Sequence, residues 1–480
     1  MNLCLIGHDF RYELEKLVRI FMPFEKIKFF DSEVLGESYA LTVLNEHTAF
    51  AELNLFGENV KCEKILESND PKEHELKLAV CLYDCFVVLT GYEPKWGILT
   101  GVRPAKLYSR LGERAEEYFK NSLMVSDKKV KLCKASVKGE EVITSLSRPD
   151  SFSLYISVPF CPTRCSYCSF VSHSVEKAKK LIPQYVELLC EEIKKTGEIA
   201  KNLKLRLETV YIGGGTPTTL DAEQLTRVMD TVKQNFDLQY LREYTVEAGR
   251  PDTVTAERLI AIKEGGATRI SINPQTMNDA VLEVIGRKHT AKQTVEAFTL
   301  ARKMGFDNIN MDLIAGLPSD TFWSFKNTVE EILILDPESV TVHSLSLKRS
   351  ATLSTKGQLP EIQMGRVASD MVDFANETLS KKGIMPYYMY RQSKTVGNLE
   401  NVGYAKRGYE CLYNVYIMDE THTILACGAS AVTKLKEPKG PFIKRIFNFK
   451  YPYEYINRFG EIISRKDGIY KFYKNYKEEL

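Results

Sequence analysis

The 480-residue sequence lacks a long hydrophobic run, an excess of charge of one sign and a secretory leader. No stretch reaches the roughly 18 apolar residues that a membrane span needs, so we expect no transmembrane helix. Lysines and arginines number 65 against 63 aspartates and glutamates, which gives no indication of nucleic acid as a partner. The N-terminus, MNLCLIGHDFRYELEK, has no basic start and only a brief apolar stretch. We therefore expect a cytoplasmic protein.

The sequence also lacks the pattern of a disulfide framework. It contains eleven cysteines, an odd number, scattered along the chain, so free thiols or metal ligands are the better interpretation. Cys81 and Cys85 lie four residues apart in LKLAVCLYDCFVVL, where burial in a helix explains them better than a metal pair does. The same interpretation applies to five isolated cysteines: Cys4, Cys62, Cys133, Cys190 and Cys427.

Changes in sequence pattern divide the chain into four segments. Residues 1–140 are predicted to form an α+β domain, with strand-like alternation in SYALTVLNE and AFAELNLF and a helical run near 73–91. The polar stretch 141–152 is predicted to be a linker. Residues 153–350 form the predicted core, and residues 351–480 form a less regular, aromatic-rich C-terminal region.

The predicted core alternates short β-branched strands with amphipathic helices. The strand candidates are LYISVPF, ETVYIGG, EYTVEAG, TRISINPQ, NINMDLIAG and SVTVHSLS. The helix candidates are DAEQLTRVMDTVKQNF, TAERLIAIKEGG, TAKQTVEAFTLARKMG and TFWSFKNTVEEILIL. This alternation predicts an α/β fold with parallel strands, either an open doubly wound sheet or a partial (β/α)6 barrel. Polar and glycine-rich residues follow the strands, where both architectures place their functional sites.

Three cysteines follow the first predicted core strand. Cys161, Cys165 and Cys168 have the spacing C-x3-C-x2-C in LYISVPFCPTRCSYCSF. A structural zinc site would need a fourth ligand, for which His173 is the only near candidate. Three thiolates on a [4Fe-4S] cluster instead leave one iron open for a small molecule, and the adjacent Tyr167 can stack on an adenine. We therefore predict a cluster and keep a zinc site as the alternative.

This segment resembles the signature of the radical SAM superfamily, whose members bind a [4Fe-4S] cluster and S-adenosylmethionine (SAM). The surrounding sequence, over roughly residues 95–435, resembles the oxygen-independent coproporphyrinogen III oxidase branch. Within that branch it is most similar to the coproporphyrinogen dehydrogenase HemZ type, to which the N-terminal segment and the block WGILTGVRPAKL point. The resemblance implies a partial (β/α)6 radical SAM barrel, preceded by the N-terminal α+β domain and followed by a C-terminal extension.

The resemblance also implies roles for individual residues. Cys161, Cys165 and Cys168 match the cluster ligands, and Tyr155, six residues before Cys161, matches a tyrosine that contacts SAM. The remaining positions that match the SAM-binding series are Tyr167, Gly214, Gly215, Thr216, Glu247, Gln275, Arg287, Asp312 and Ser346. A dinucleotide-binding interpretation of GGGTPT is weak, because no G-x-G-x-x-G opens a helix there. Cys411, in a later stretch that also resembles the branch, has no role that we can name.

The sequence departs from the family pattern at three places. Ser157 stands where the strand before the cluster often has a histidine, and Phe170 stands where the oxidases usually have a fourth cysteine. Asn273 and Pro274 precede Gln275, where a glycine is common. The phenylalanine is shared with haem-chaperone relatives, so the cluster motif alone does not establish oxidase activity.

The resemblance implies that SAM cleavage drives decarboxylation of coproporphyrinogen III to protoporphyrinogen IX in anaerobic haem biosynthesis, with flavodoxin or ferredoxin as a reductant. The alternatives are a haem chaperone, a radical SAM methyltransferase that acts on a tetrapyrrole, and a structural iron-sulfur or zinc protein. A substrate with four propionates needs cations, for which Arg250, Lys288 and Arg391 are candidates by position. The tyrosines at 387, 388 and 390 are candidates for the wall of a tetrapyrrole pocket, although a packed core explains them better.

Overall fold

The structure is a computed structural model that describes residues 1–34, 36–55, 57–168, 173–346 and 358–476. The side chains of residues 177 and 358–361 also lie outside the description. Among the described helices, none has the combination of length and apolar sequence that crossing a membrane requires.

The N-terminal segment forms a mixed five-stranded sheet covered by helices. Its strands are β1 (Asn2–Ile6), β2 (Lys28–Phe30), β3 (Tyr39–Leu44), β4 (Thr48–Leu55) and β5 (Glu58–Ile65), in the spatial order β2-β1-β3-β4-β5. Its helices are α1 (Arg11–Phe21), α2 (Pro71–Thr90), α3 (Pro104–Leu111), α4 (Ala115–Glu117) and α5 (Asp127–Thr144). Both predicted strands and the predicted helix near 73–91 are present. Cys81 and Cys85 are buried in α2, and their thiols donate to backbone carbonyls of β4.

Half of the segment predicted as a linker, residues 141–152, is part of regular structure. Helix α5 continues to Thr144, and the next strand begins at Ser151, so only residues 145–150 connect them. The first residues of the predicted linker lie on the last turn of α5, where Glu141 is exposed.

The N-terminal segment is joined to the C-terminal region through buried charges. The Lys129 ammonium on α5 lies 2.5 Å from a Glu400 carboxylate oxygen and 2.8 Å from an Asp373 oxygen. The Trp96 indole donates to the other Glu400 oxygen at 2.6 Å. Because Lys129 and Glu400 are each about 1% exposed, removal of one partner would leave an uncompensated buried charge.

The core contains six parallel strands in the predicted order. Its strands are β6 (Ser151–Val158), β7 (Phe160–Cys161), β8 (His173–Ser174), β9 (Arg206–Gly214), β10 (Glu243–Gly249), β11 (Arg269–Ile272), β12 (Ile309–Ala315) and β13 (Ser339–Ser344). Its helices are α6 (Val175–Ala178), α7 (Ile182–Asn202), α8 (Ala222–Asn235), α9 (Ala256–Glu264), α10 (Asp279–Val284), α11 (Ala291–Lys303) and α12 (Phe322–Leu335). β7 and β8 form a separate two-stranded pair, whereas the other six strands lie side by side as β6-β9-β10-β11-β12-β13. All six predicted strands and all four predicted helices are present.

Side-chain caps fix where several core helices begin. Asp221 and Thr290 each form a capping box, and the hydroxyls of Thr255 and Thr321 accept backbone N–H groups in the first turns of α9 and α12. α8, α9 and α12 each start seven or eight residues after the end of the preceding strand, and the loop between them lies at the carboxyl end of the sheet.

The C-terminal region extends the central sheet at both edges. Its elements are α13 (Gln358–Lys381), β14 (Met385–Arg391), β15 (Glu400–Ala405), α14 (Leu412–Asp419), β16 (Thr423–Cys427), β17 (Val432–Lys436), β18 (Ile443–Phe447), α15 (Pro452–Asn457) and α16 (Phe459–Tyr473). β15 pairs antiparallel with β13, and β16 pairs parallel with β6. In the described part of the chain the sheet therefore has eleven strands, five of them from a region that the sequence predicted only as a less regular extension.

Candidate active site

The predicted site residues lie at one edge of the sheet. Tyr155 is on β6, Gly214 ends β9, Glu247 is on β10, Gln275 follows β11 and Asp312 is on β12. These five strands are successive neighbours and run parallel. Their carboxyl ends therefore meet, as they do at the functional edge of other α/β folds.

The cysteine loop, residues 161–168, lies beside this edge and is held by backbone hydrogen bonds. Its three thiols are half-buried, and none is in a disulfide. The Ser166 N–H donates to the Ile285 carbonyl at 3.1 Å, and the Thr216 hydroxyl donates to the Cys161 thiol at 3.6 Å. Within the described ranges no three His, Cys, Asp or Glu side chains are close enough to bind a single metal ion.

Two glycines allow the β9 loop to pack against the strand that leads into the cysteine loop. Gly214 has a φ of +103°, and a Cβ there would lie 2.9 Å from the Ser157 hydroxyl and 3.2 Å from the Tyr155 hydroxyl. A Cβ on Gly215 would lie 2.6 Å from the Phe160 carbonyl oxygen. Since a side chain would clash with protein atoms at both positions, only glycine allows the β9 loop to lie this close to β6 and β7.

Glu247 lies next to these glycines in a pocket of tyrosines and carboxylates. Burial, with a smaller contribution from the Asp312 charge, outweighs the hydrogen bonds from Tyr211 and the Gly214 N–H and raises the pKa of Glu247 to about 7. The Tyr211 hydroxyl donates to Glu247 at 2.5 Å. The Glu247 carboxyl therefore titrates near neutral pH.

Asp312, on β12, lies at the same carboxyl end of the sheet, which we call the mouth of the site. Its pKa is shifted in the opposite direction to that of Glu247. Burial alone would raise its pKa, but hydrogen bonds from His343, Asn310 and Thr341 outweigh burial and hold the pKa of Asp312 below its usual value. The Asn310 amide donates to Asp312 at 2.7 Å. Gln275 is buried with a φ of +70°, and its N–H donates to the Asp312 carbonyl at 2.9 Å. One mouth thus holds two carboxyl groups whose pKa values are shifted in opposite directions.

Arg287 connects the fourth strand to the cysteine loop. Its guanidinium donates to the Asn273 carbonyl at 2.7 Å and to the Tyr167 hydroxyl at 3.2 Å, and it lies beside the Cys165 thiol. The Tyr167 ring packs against an apolar cluster that includes Leu282. Stacking of Tyr167 on an adenine remains a prediction.

Ser346 lies at the end of the described core. It forms an isolated bridge with Thr395, and its hydroxyl donates to the Ser393 carbonyl at 3.2 Å. Its predicted backbone contact with SAM remains a prediction. Phe170, the departure from the pattern of the oxidases, lies outside the described residues.

Two of the three cations suggested for substrate binding have structural partners. Arg391 is 3% exposed and donates to the Leu99 carbonyl at 2.6 Å, so it holds the WGILTGVRPAKL block against β14. Arg250 is also 3% exposed and pairs with Asp252. Lys288 is exposed. The sequence alone could not distinguish the buried arginines from the exposed lysine, because burial of a side chain depends on distant segments.

The tyrosines around residue 388 are mainly core residues, as the sequence favoured. Tyr387 and Tyr388 are 2% and 3% exposed, whereas Tyr390 is half-buried. Tyr388 and Tyr390 stack with a centroid distance of 6.4 Å. Of these three tyrosines, Tyr390 is therefore the one with exposed surface that could line a tetrapyrrole pocket.

Sequence reasoning missed a stack of three tyrosines at the mouth. The Tyr211 and Tyr413 rings stack at 4.5 Å, and Tyr155 lies 6.0 Å from Tyr413 and 6.3 Å from Tyr211. Alternation along β9 places Tyr211 on the same face as Gly213, a signal that could have identified Tyr211. Tyr413 gave no such signal, because it lies on α14 in the C-terminal region.

Cys411 has a structural partner. Its thiol donates to a Glu243 carboxylate oxygen at 3.4 Å, and the Leu412 N–H donates to the other oxygen at 2.7 Å. Glu243 thereby satisfies the first N–H groups of α14, where a negative charge is stabilising.

Comparisons with known proteins agree with this geometry. Residues 155–332 match the family model of the radical SAM superfamily. The oxygen-independent coproporphyrinogen-III oxidase-like protein HemZ of Bacillus subtilis is 38% identical over 386 residues, which cover 78% of this chain and 77% of that protein. The heme chaperone HemW of the same organism is 34% identical over 285 residues, 58% of this chain and 70% of that protein.

A solved structure has the same fold. Coproporphyrinogen III oxidase (HemN) from Escherichia coli superposes with a TM-score of 0.50 at 21% identity, covering 66% of this chain and 71% of that chain. At this identity the likeness supports the fold alone.

Proposed function

Because the chain belongs to the radical SAM superfamily, in the branch of oxygen-independent coproporphyrinogen-III oxidase-like proteins, we propose that it converts propionates of coproporphyrinogen III to vinyl groups. The observation that carries the proposal is the single edge where the cysteine loop meets Tyr155, Gly214, Glu247 and Asp312. The similarity to the oxidase-like protein HemZ, which extends over 78% of the chain, supports the choice of substrate.

Three thiolates are the ligand set that fits a [4Fe-4S] cluster with one open iron, so Cys161, Cys165 and Cys168 would hold it. When bound, the cluster and SAM together supply a carbon-centred radical that can abstract hydrogen from an unactivated C–H bond. The protein's own task is to hold the two reactants in register and to exclude water.

The residues at the mouth are suited to hold SAM. Asp312 has a lowered pKa and therefore stays ionised at neutral pH, so it can accept hydrogen bonds from ribose hydroxyls or an ammonium group. Backbone carbonyls of the turn that begins at Gly214, at the carboxyl end of β9, can accept hydrogen bonds from the amino group of SAM. The stacked rings of Tyr211 and Tyr413 lie beside Glu247 and keep water away from it.

The proposed reaction balances for each propionate separately. The β-carbon loses one hydrogen atom and the resulting substrate radical loses one electron, after which the carboxylate leaves as CO2 and a vinyl group forms. Two such events give protoporphyrinogen IX. Each event needs a low-potential electron donor, such as flavodoxin or ferredoxin, for SAM cleavage and a one-electron acceptor for the substrate radical.

Substrate carboxylates need cations at the mouth. Arg250 and Arg391 are buried and engaged with Asp252 and with backbone carbonyls, whereas Lys288 is exposed and directly follows Arg287. We therefore propose Lys288 as a propionate contact.

A second candidate function is haem binding and transfer. It is favoured by the heme chaperone HemW, which is 34% identical to this chain over 285 residues. A chaperone would bind haem in a fixed ratio and yield no vinyl product.

Anaerobic incubation with reductant, an electron acceptor, SAM and coproporphyrinogen III tests the proposal. We expect 5′-deoxyadenosine and a product lighter by the mass of one or two decarboxylations, with neither formed by Cys165→Ala. SAM cleavage without a vinyl product, together with stoichiometric haem binding, would favour the chaperone. A product heavier by methyl groups would indicate a methyltransferase instead.

A further inference from the structure

Thr163 lies at the centre of the cysteine loop, between Cys161 and Cys165, and its hydroxyl has two partners. It accepts a hydrogen bond from the Arg250 guanidinium at 2.6 Å and donates to the Gly286 carbonyl at 3.3 Å. The Thr163 carbonyl also accepts from Arg250, at 3.4 Å. One side chain thus joins the cysteine loop to the turns that follow β10 and α10.

Arg250 is itself fixed by an acidic partner. Its Nε donates to one Asp252 oxygen at 2.9 Å and its Nη2 to the other at 2.8 Å, a bidentate pair. Arg250 is 3% exposed, and the Asp252 side chain is 20% exposed. Because three of its nitrogens donate to Asp252 and Thr163, the guanidinium is oriented toward the cysteine loop and has little surface left for a substrate.

We propose that Asp252, Arg250 and Thr163 form a loop clamp, a chain of hydrogen bonds that positions the cysteine loop before a cluster is bound. The inference rests on the proposed role of Cys161 and its two partners as cluster ligands. In it Arg250 is a positioning residue, since it acts through Thr163 and contacts no reacting atom.

The physical reason for such a clamp is conformational entropy. Fixing the backbone of each residue costs conformational entropy, so eight freely moving loop residues would oppose cluster assembly strongly. The loop has further anchors in the Ser166–Ile285 and Thr216–Cys161 hydrogen bonds. The loop clamp acts on the stretch between the first two cysteines, at Thr163.

Removal of the Thr163 hydroxyl tests the clamp with the smallest change of shape. We expect the cluster-free Thr163→Val protein to exchange the Ser166 and Cys168 amide hydrogens at least about tenfold faster than the wild type, since a lost hydrogen bond to a charged group is worth about 1.5 kcal/mol or more. After reconstitution we expect a similar final iron content but about tenfold faster loss of iron to a chelator. Arg250→Lys keeps the positive charge but cannot make the bidentate hydrogen bonds of the guanidinium. It should therefore also speed up amide exchange and iron loss.

Thr231→Val is the matched control, because Thr231 is buried on α8 and donates to the Arg227 carbonyl at 2.7 Å, away from the loop. It should leave both rates unchanged. The loop clamp is wrong if the Thr163→Val protein exchanges its Ser166 and Cys168 amide hydrogens, and loses iron, at the same rates as the wild type. A wild-type chain that takes up no cluster would instead refute the assignment of the cysteines, while hydrogen exchange of the cluster-free protein would still report on the clamp.

Discussion

Replacement of Glu247 by glutamine should stabilise the cluster-free protein and weaken its binding of SAM. The pKa of Glu247 is about 7 in the folded protein, against 4.5 for an unperturbed glutamate. At about 1.4 kcal/mol per tenfold difference, burial of the ionised carboxylate costs up to about 3 kcal/mol. Glutamine removes this cost and can still accept the hydrogen bond of Tyr211 at 2.5 Å.

The sign of the pH dependence follows from the raised pKa. Between about pH 4.5 and pH 7 the folded protein binds the Glu247 proton more tightly than the unfolded chain does, so the free energy of unfolding falls as the pH rises through this window. Glu247→Gln should therefore match the wild type near pH 4.5 and exceed its unfolding midpoint by a few degrees at pH 8. In cluster-loaded wild type, SAM affinity should fall roughly ninefold from pH 8 to pH 6, since a group of pKa about 7 goes from about 90% to about 10% ionised.

Thermal unfolding of cluster-free protein and equilibrium dialysis of cluster-loaded protein against SAM measure the two effects. Glu63→Gln, a change at an exposed position on β5, is the control and should alter neither. If Glu247→Gln is no more stable than the wild type at pH 8, the pKa of Glu247 is not raised. If its SAM affinity equals that of the wild type at this pH, Glu247 does not bind SAM.

Three further changes test other parts of the structure. Gly214→Ala should reduce SAM affinity at least about tenfold with normal iron content, because its Cβ would lie 2.9 Å from a neighbouring hydroxyl at a φ of +103°; unchanged affinity in dialysis would contradict the close packing. Lys129→Met should lower the free energy of unfolding by roughly 3–5 kcal/mol, since Glu400 and Asp373 would keep buried, unpaired charges; an unchanged unfolding midpoint would argue against that pair. Cys411→Ala should cost about 1–2 kcal/mol and leave SAM cleavage intact, so loss of cleavage in a folded variant would give this thiol a chemical role.

The features that local sequence patterns determine were predictable. Strand-helix alternation gave all six core strands, and the polar residues after them, such as Glu247 and Gln275, lie where parallel strands must end together. The alternation in SYALTVLNE likewise gave β3. In each case the signal lies within a window of about ten residues.

The features that depend on distant segments were not predictable. The pairing of β16 with β6 joins residues about 270 positions apart, and no local pattern encodes it. The same limit applies to Tyr413, which reaches the mouth from α14, and to Arg391, which is buried by the segment around Leu99. The end of α5 at Thr144 was likewise not evident from the polar composition after residue 140.

The central claim is that Cys161, Cys165 and Cys168 hold a four-iron cluster with one iron open to SAM. Iron and sulfide analysis of anaerobically purified protein, combined with electron paramagnetic resonance of the reduced protein with and without SAM, tests it most directly. We expect close to four irons and four sulfides per chain and a spectrum that changes when SAM is added. Zinc in place of iron, or a spectrum that SAM leaves unchanged, would contradict it.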